Sequence, residues 1–148
     1  MRALLQRVSS ASVTVDGQVV GSIGRGLLVL VGIHKDDVLA GAGPWLVNKI
    51  LQARVFQDDA GKMNLSVTDV GGELLVVSQF TLYGDLRKGT RPSYSDAMPG
   101  EAARAYWPEW VRMLRGTTSL KVAEGVFAAT MSVALVNEGP VTVMIETP

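Results

Sequence analysis

The sequence predicts a single domain of mixed α/β or α+β class, in which a sizeable sheet and two main helices pack in layers. The chain has 148 residues, of which 47% are hydrophobic, so one core can bury roughly 70% of the surface that the unfolded chain exposes. Apolar or alternating stretches follow one another in the order strands, helix, strand, helix, strands. No internal repeat, low-complexity tract or linker interrupts this order, so residues 1–148 are expected to form one domain.

The first third of the chain reads as strands. Leu4 to Val8 is a short apolar run, and Val13 and Val15 alternate with polar residues. Asp16-Gly17 follows, and this dipeptide between alternating apolar residues predicts a two-residue hairpin turn, because both central positions of a type I′ turn need a positive φ. The stretch from Gly26 to Ile33 is apolar throughout, which indicates a strand covered on both faces.

Two helices are predicted. Asp36-Asp37 is expected to cap a helix that runs to about Ala53, with an irregular first half or a fresh start at Pro44. Glu101 to Arg115 is expected to form the second helix, with a kink near Pro108.

The remaining strands lie between and after these helices. Leu74 to Val77 is expected to be a buried strand that runs directly into Ser78. After the second helix, Met131 to Val136 and Val141 to Ile145 alternate and are expected to form two strands, separated by residues 137–140.

The composition excludes several classes of protein. The chain has no Cys, and its 14 basic and 14 acidic residues balance to a net charge of zero. Proteins that coat nucleic acid non-specifically usually carry a basic excess, so no DNA partner is expected, although a local basic patch could grip one end of an RNA. No apolar stretch approaches the roughly 18 residues that a membrane span requires. A cytoplasmic protein without a membrane partner is expected.

Few side chains are suited to acid–base or metal chemistry. His34 is the only histidine, and at the end of a predicted strand we interpret it as a surface or capping residue rather than a catalytic base. Helix capping and loop solvation explain the pairs Asp36-Asp37 and Asp58-Asp59, so no metal site and no cofactor are expected. The glycines between Gly21 and Gly26 have the wrong order for a dinucleotide fingerprint and lead into a strand.

Two segments carry the functional signal. The run Ser78-Gln79-Phe80-Thr81-Leu82 places three hydrogen-bonding side chains at the end of an apolar strand, which is compatible with an edge strand or with a site. The run Asn137-Glu138-Gly139-Pro140-Val141-Thr142 contains a Gly-Pro pair that indicates either a turn or a cis peptide bond.

These two segments, about sixty residues apart, resemble the motifs of the D-aminoacyl-tRNA deacylases. The likeness extends along most of the chain: it includes the start Met1 to Val15 and the runs Gly26 to Gly32, Lys49 to Leu51, Gly61 to Asn64 and Arg91 to Ser93. The resemblance implies an α/β domain with β-β-α three-layer packing. It also implies hydrolysis of the ester between a D-amino acid and the 3′-terminal adenosine of tRNA, without a cofactor.

The resemblance implies a homodimer with its site at the interface. In such proteins the Gly-Pro bond, here Gly139-Pro140, is cis and enters the pocket of the other subunit, where its carbonyls exclude an L-side chain. Glycine has no side chain, so glycyl-tRNA is an expected second substrate beside D-aminoacyl-tRNA.

The resemblance also implies roles for individual residues. Catalysis falls to Ser78, Gln79, Phe80 and Thr81, with the backbone N–H groups around Phe80 as oxyanion donors. We interpret Thr81 as a positioning residue rather than the nucleophile, since a threonine needs an activating base and the only imidazole, His34, lies where family members do not keep a histidine.

Other residues are candidates for binding. Gly139, Pro140, Met131 and Arg7 are expected near the substrate, although packing explains Met131 and Arg7 equally well. The basic cluster Arg87, Lys88 and Arg91 is a candidate for the acceptor-stem phosphates, or else a solvated loop.

Two departures and two rival functions stand beside this interpretation. Relatives usually have threonine at the position of Glu124 and aspartate at that of Thr130, and these changes bear on the detailed pocket contacts but not on the reaction. The rival functions are an editor of L-aminoacyl-tRNA and a non-catalytic dimeric RNA-binding module.

Overall fold

The computed structural model describes residues 1–148 and contains eight strands, two α-helices and one short 3-10 helix. In chain order they are β1 (Arg2–Val15), β2 (Gln18–Ile23), β3 (Gly26–Gly32), α1 (Leu39–Gln52), β4 (Phe56–Gln57), β5 (Met63–Leu65), β6 (Glu73–Ser78), the 3-10 helix (Phe80–Tyr83), α2 (Gly100–Thr117), β7 (Val122–Glu124) and β8 (Ser132–Glu146). Neither α-helix combines the length and the apolar character needed to span a membrane.

Strand β1 organises the main sheet. It pairs antiparallel with β8 over most of its length, while its other edge is shared by β3 at residues 2–8 and β2 at residues 11–15. Beyond β3 the sheet continues with β6 and β7, and both of these pairings are parallel. The six strands therefore form one mixed sheet, and β4 and β5 form a separate hairpin.

The β1–β2 turn confirms the hairpin prediction. Asp16 and Gly17 have φ angles of 48° and 77°, so both central residues occupy the left-handed region that a type I′ turn requires. Val15 pairs with Gln18 directly across this turn.

The two faces of the sheet cover different cores, which confirms the layered α/β prediction. Leu27, Val29 and Val31 of β3 point toward the helices and share one core with Trp110 of α2. Leu28 points the opposite way, into a smaller core shared with the second half of β1. The sheet curls around this smaller core until β2 approaches β7. Gly21 permits the approach, since a Cβ atom there would lie 2.6 Å from the carbonyl oxygen of Glu124.

The predicted cap of the first helix is wrong. Helix α1 begins at Leu39 after Val38, which makes no side-chain capping bond. The Asp37 carboxylate instead accepts a hydrogen bond from the His34 N–H at 2.6 Å and pairs with the α-amino group of Met1 at 2.8 Å. The helix then runs through Pro44, and α2 likewise continues through Pro108 from Gly100 to Thr117.

Strand β8 is continuous where two strands were expected. Gln6 pairs with Thr142 and Val8 with Asn137, so the single residue Arg7 faces residues 138–141. Because β1 pairs with β3 without interruption from residue 2 to residue 8, the extra residues of β8 leave the sheet as a bulge, and β8 resumes on the far side. We call residues 138–141 the Gly-Pro bulge.

Ala128 generates a stability prediction, because its φ of 62° lies in the region that disfavours residues with a Cβ atom. We expect Ala128→Gly to raise the free energy of unfolding by up to about 1 kcal/mol, after the greater freedom of glycine in the unfolded chain is subtracted. Ala129→Gly is the matched control and should lower it by about 0.4–1 kcal/mol. Urea denaturation measures both, and a destabilised Ala128→Gly protein would contradict the assignment.

Candidate active site

A cavity of about 1100 Å³ opens beyond the carboxyl ends of β3 and β6. Such crevices at the carboxyl ends of parallel strands are common ligand sites. Its walls come from the strand ends, the segment that leads into α2, the start of α2 and the loop before β8. Among the lining residues are Ile33, Val77, Ser78, Gln79, Phe80, Tyr94, Met98, Glu101, Arg104, Phe127, Ala129 and Met131.

The predicted site motif forms a tight turn at the edge of this cavity. Strand β6 ends at Ser78, and the chain then enters the 3-10 helix; we call residues 78–83 the strand-end turn. The Gln79 N–H donates to the Val31 carbonyl at 2.7 Å, which ties the start of the turn to β3. The N–H groups of Phe80 and Thr81 donate no hydrogen bond within the chain. Two adjacent backbone donors are therefore free, as expected at the beginning of a helix.

The side chains of the turn offer no general base. The Gln79 amide hydrogen-bonds to the Thr81 hydroxyl, and an amide cannot accept the proton of an attacking hydroxyl at neutral pH. Thr81 is exposed and does not itself line the cavity. The Phe80 ring is 54% exposed and lies edge-on to Tyr94, with ring centroids 5.0 Å apart.

His34 lies outside the cavity lining. Its Nδ1 accepts a hydrogen bond from the Asp36 N–H at 3.2 Å, and its ring is tilted against Tyr83 at 5.4 Å between centroids. Burial raises the pKa of the Tyr83 phenol above its ordinary value. His34 thus serves the local turn, in agreement with its interpretation as a capping residue.

A buried arginine fixes the Gly-Pro bulge. Arg7 is only 6% exposed, and it donates to the carbonyls of Glu138 at 3.1 Å and Val55 at 2.7 Å. Gly139 has a φ of 129°, and a Cβ atom there would lie 3.0 Å from the Arg7 guanidinium. Any larger residue would therefore be strained and would crowd Arg7. The Gly139-Pro140 bond is cis, as the family resemblance implied.

Asn137 closes the base of the bulge. Its side-chain oxygen accepts a hydrogen bond from the Val141 N–H at 3.1 Å, and its amide donates to the Thr142 hydroxyl at 3.0 Å. A short polar side chain thereby replaces the ladder hydrogen bonds that the bulge removes.

The structure separates the predicted site residues into two groups. Ser78, Gln79, Phe80 and Met131 line the cavity, whereas Arg7, Gly139 and Pro140 do not. The cavity and the bulge of one chain are thus distinct features.

The basic cluster is partly neutralised within the chain. Arg87 binds Asp85 through two nitrogens, at 2.7 and 2.9 Å, and this pairing lowers the pKa of Asp85 to about 2. Lys88 and Arg91 are exposed and make no ion pair. Of the three residues predicted to contact phosphates, Lys88 and Arg91 therefore carry a charge that no carboxylate of the chain neutralises.

The sequence matches the family model for D-Tyr-tRNA(Tyr) deacylase over residues 4–146. The chain belongs to this family. It is 56% identical over 146 residues to a D-aminoacyl-tRNA deacylase of Desulfitobacterium hafniense, a match that covers 99% of this chain and 97% of the relative. It is also 53% identical over 148 residues to the D-aminoacyl-tRNA deacylase of Chloroherpeton thalassium, covering 100% and 97%.

Two solved structures share the fold. A c-Myc DNA unwinding element binding protein superposes with a TM-score of 0.94 and 43% identity, covering 100% of this chain and 99% of the other. A probable eukaryotic D-amino acid tRNA deacylase superposes with a TM-score of 0.79 at 20% identity, covering 97% of both chains. The second likeness confirms the fold alone.

The two departures from the family pattern lie outside the cavity wall. Glu124 pairs with Arg115 of α2 at 3.1 Å, so its carboxylate fastens β7 to the helix. Thr130 is exposed and separates the lining residues Ala129 and Met131.

Sequence reasoning missed much of the cavity wall. Tyr94, Met98 and Arg104 contribute to it, yet they lie in a polar loop and on a helix without a motif. Only the amphipathic pattern of α2 could have suggested that its first turn faces inward.

The Arg7 contacts predict a large effect on stability. Arg7→Met preserves the aliphatic stem but leaves two carbonyls without their charged donor, so we expect the free energy of unfolding to fall by about 2–4 kcal/mol. Arg112→Met on the exposed face of α2 is the matched control and should change it by less than about 0.5 kcal/mol. Urea denaturation of the two variants checks this, and equal midpoints would show that the Arg7 contacts contribute nothing.

Proposed function

We propose that the protein hydrolyses the ester bond between a D-amino acid and the 3′-terminal adenosine of tRNA. The observation that carries this proposal is the strand-end turn, which presents two free backbone N–H groups beside a large cavity and carries no carboxylate, imidazole or thiol of its own. An aminoacyl ester is already activated, so positioning and charge stabilisation suffice for its hydrolysis. The family membership and the names of the relatives support the same substrate.

In this mechanism the free N–H groups of Phe80 and Thr81 stabilise the oxyanion of the tetrahedral intermediate. A water molecule attacks the ester carbonyl, and the C–O bond to the terminal ribose then breaks. The neighbouring ribose 2′-OH relays the proton of the water to the departing 3′ oxygen. The Thr81 hydroxyl, held by the Gln79 amide, positions the substrate rather than attacking it.

Thr81→Ala distinguishes positioning from nucleophilic attack. Under single-turnover conditions with enzyme in excess, we expect the rate constant for D-Tyr-tRNA to fall about tenfold, which corresponds to a hydrogen bond of about 1.4 kcal/mol. Thr90→Ala in the exposed loop is the matched control and should leave the rate unchanged. Complete loss of hydrolysis with tRNA binding retained would instead identify Thr81 as the nucleophile.

Substrate that ends in 2′-deoxyadenosine tests the ribose relay. It should react more slowly, and an unchanged rate would exclude the relay.

The proposal includes a homodimer in which the Gly-Pro bulge of one copy faces the cavity of the other. The bulge does not line its own cavity, although the family motif contains both segments. Strand β8 pairs only with β1, so its outer edge is free. It also exposes apolar side chains, including Val136 at 57% and Met144 at 50%. A long exposed apolar edge favours pairing with a second chain.

Mixed dimers test this arrangement. Gly139→Val should distort the bulge, because a side chain is strained at this φ and crowds Arg7. Its homodimer is expected to hydrolyse both L-Tyr-tRNA and D-Tyr-tRNA. Ala129→Trp should fill the cavity and abolish both activities.

A heterodimer of these two variants, purified through different tags, contains one intact cavity opposite one intact bulge. It should hydrolyse D-Tyr-tRNA while rejecting L-Tyr-tRNA. Hydrolysis of L-Tyr-tRNA by the heterodimer would mean that each bulge serves its own cavity, and a monomeric wild type in sedimentation would also contradict the proposal.

Substrate choice separates the proposed function from its rivals. We expect hydrolysis of D-Tyr-tRNA and Gly-tRNA but not of L-Tyr-tRNA, since exclusion of an L-side chain leaves glycine unopposed. Hydrolysis of the L-ester would indicate an editor of L-aminoacyl-tRNA, and absence of all three activities would indicate a binding module. Duplex DNA is not expected to inhibit hydrolysis, because the net charge of the chain is zero.

A further inference from the structure

Arg2 contacts the strand-end turn without lining the cavity. Its Nη1 donates a hydrogen bond to the Leu82 carbonyl at 2.9 Å. Its guanidinium also lies 4.5 Å from the centroid of the Tyr83 ring, within the range of a cation–π interaction. One side chain thus contacts both residues at the end of the turn, and Arg2 is absent from the cavity lining.

The position of Arg2 is itself fixed. It is the first residue of β1, and its neighbours in the sheet are Gly32 of β3 and Glu146 of β8. Its Nε pairs with the Glu146 carboxylate at 2.8 Å, and its side chain is 33% exposed. Because the guanidinium is engaged by three partners within the chain, it is a poor candidate for a tRNA phosphate contact.

The two ends of the turn are attached to the sheet in different ways. Its start is tied to the sheet by the bond from Gln79 to Val31. Toward its end, the Tyr83 ring rests on Gly32, where a Cβ atom would lie 3.1 Å from the ring. Tyr83 also contacts the His34 ring and is only 4% exposed, so its side chain is held by packing. The Leu82 carbonyl is held by its hydrogen bond from Arg2, which ties this part of the turn to β1.

We infer that Arg2 is a positioning residue for the deacylation step, acting through the Leu82 carbonyl and the Tyr83 ring on the backbone N–H groups of Phe80 and Thr81. This inference rests on the proposed function. Leu82 directly follows Thr81 in one 3-10 turn, so a shift of the Leu82 carbonyl also rotates the preceding peptide groups. Displacements of about 1 Å at groups that stabilise a transition state can cost on the order of 100-fold in rate.

A purely structural role for Arg2 would give different results. The ion pair of Arg2 with Glu146 also joins β1 to the end of β8. A purely structural role therefore predicts that loss of Arg2 lowers the free energy of unfolding and leaves the rate constant of the folded protein unchanged. A positioning role predicts a lower rate constant at saturation, whereas a role in tRNA binding predicts a higher half-saturating enzyme concentration.

Single-turnover hydrolysis of D-Tyr-tRNA tests the inference. We expect Arg2→Ala to lower the saturating rate constant about tenfold or more, with the half-saturating concentration changed less than about twofold. Methylguanidinium should restore part of this loss in Arg2→Ala and none in the wild type. Arg2→Lys should be intermediate, because an ammonium keeps the charge but not the planar fork that reaches several partners.

Two matched variants control for other effects. Glu146→Gln removes the ion pair while leaving Arg2 in place, and should retain a rate within about twofold of the wild type. Arg112→Ala removes the same charge from the surface of α2 and should have no effect. Three results would each overturn the inference. They are an unchanged saturating rate constant in Arg2→Ala, a change confined to the half-saturating enzyme concentration, and failure of methylguanidinium to restore activity. If Arg2→Ala does not fold, the same criteria apply to Arg2→Lys.

A second measurement does not depend on activity. The amide resonances of the ¹⁵N-labelled wild type and of ¹⁵N-labelled Arg2→Lys are compared. Those of Phe80 and Thr81 should differ between the two proteins, while those of the distant β1–β2 turn should not. Unmoved Phe80 and Thr81 resonances would overturn the inference even if the rate fell. Failure of the wild type to hydrolyse any D-aminoacyl-tRNA would refute the proposed function, and the resonances would still decide whether Arg2 positions the turn.

Discussion

The pairing of β1 along both of its edges is the constraint on which the other features depend. Residues 2–8 all pair with β3, and all of them except Arg7 also pair with β8, so the strand cannot shift without breaking two ladders at once. Two arginines project from this fixed strand. Arg2 reaches the strand-end turn, and Arg7 reaches the Gly-Pro bulge. Both segments of the family motif are therefore held against the same strand, about five residues apart.

The proposed site consists of backbone geometry more than of reactive side chains. The candidate oxyanion donors are peptide N–H groups, and the bulge is held by hydrogen bonds to carbonyl oxygens. Such groups do not titrate near neutral pH and need no activation, which suits a substrate whose ester is already reactive. Rigidity then becomes the main requirement. It is met by buried anchors such as Arg7 and by glycines, such as Gly32, that allow close packing.

Burial is distributed unevenly over the strands of the main sheet. The faces of β3 and β6 are buried on both sides and carry the parallel core of the sheet. Strand β8 remains largely exposed along one edge and carries exposed apolar side chains, which do not contribute to the core of a single chain. The same strand carries the bulge, so an interface along β8 would bring the bulge to a second copy.

The sequence by itself determined the features that depend on neighbouring residues. These are the type I′ turn at Asp16-Gly17, the covered β3, the approximate extent of the two helices and, through its motifs, the family. Only the tertiary structure decided that Asp37 pairs with the α-amino group of Met1 rather than capping α1, because the β1–β3 pairing brings Met1 beside a residue 36 positions away in the chain. The same holds for β8, whose bulge exists because Arg7 on another strand offers one residue against residues 138–141. Contacts between distant segments depend on register and burial, which a local pattern does not encode.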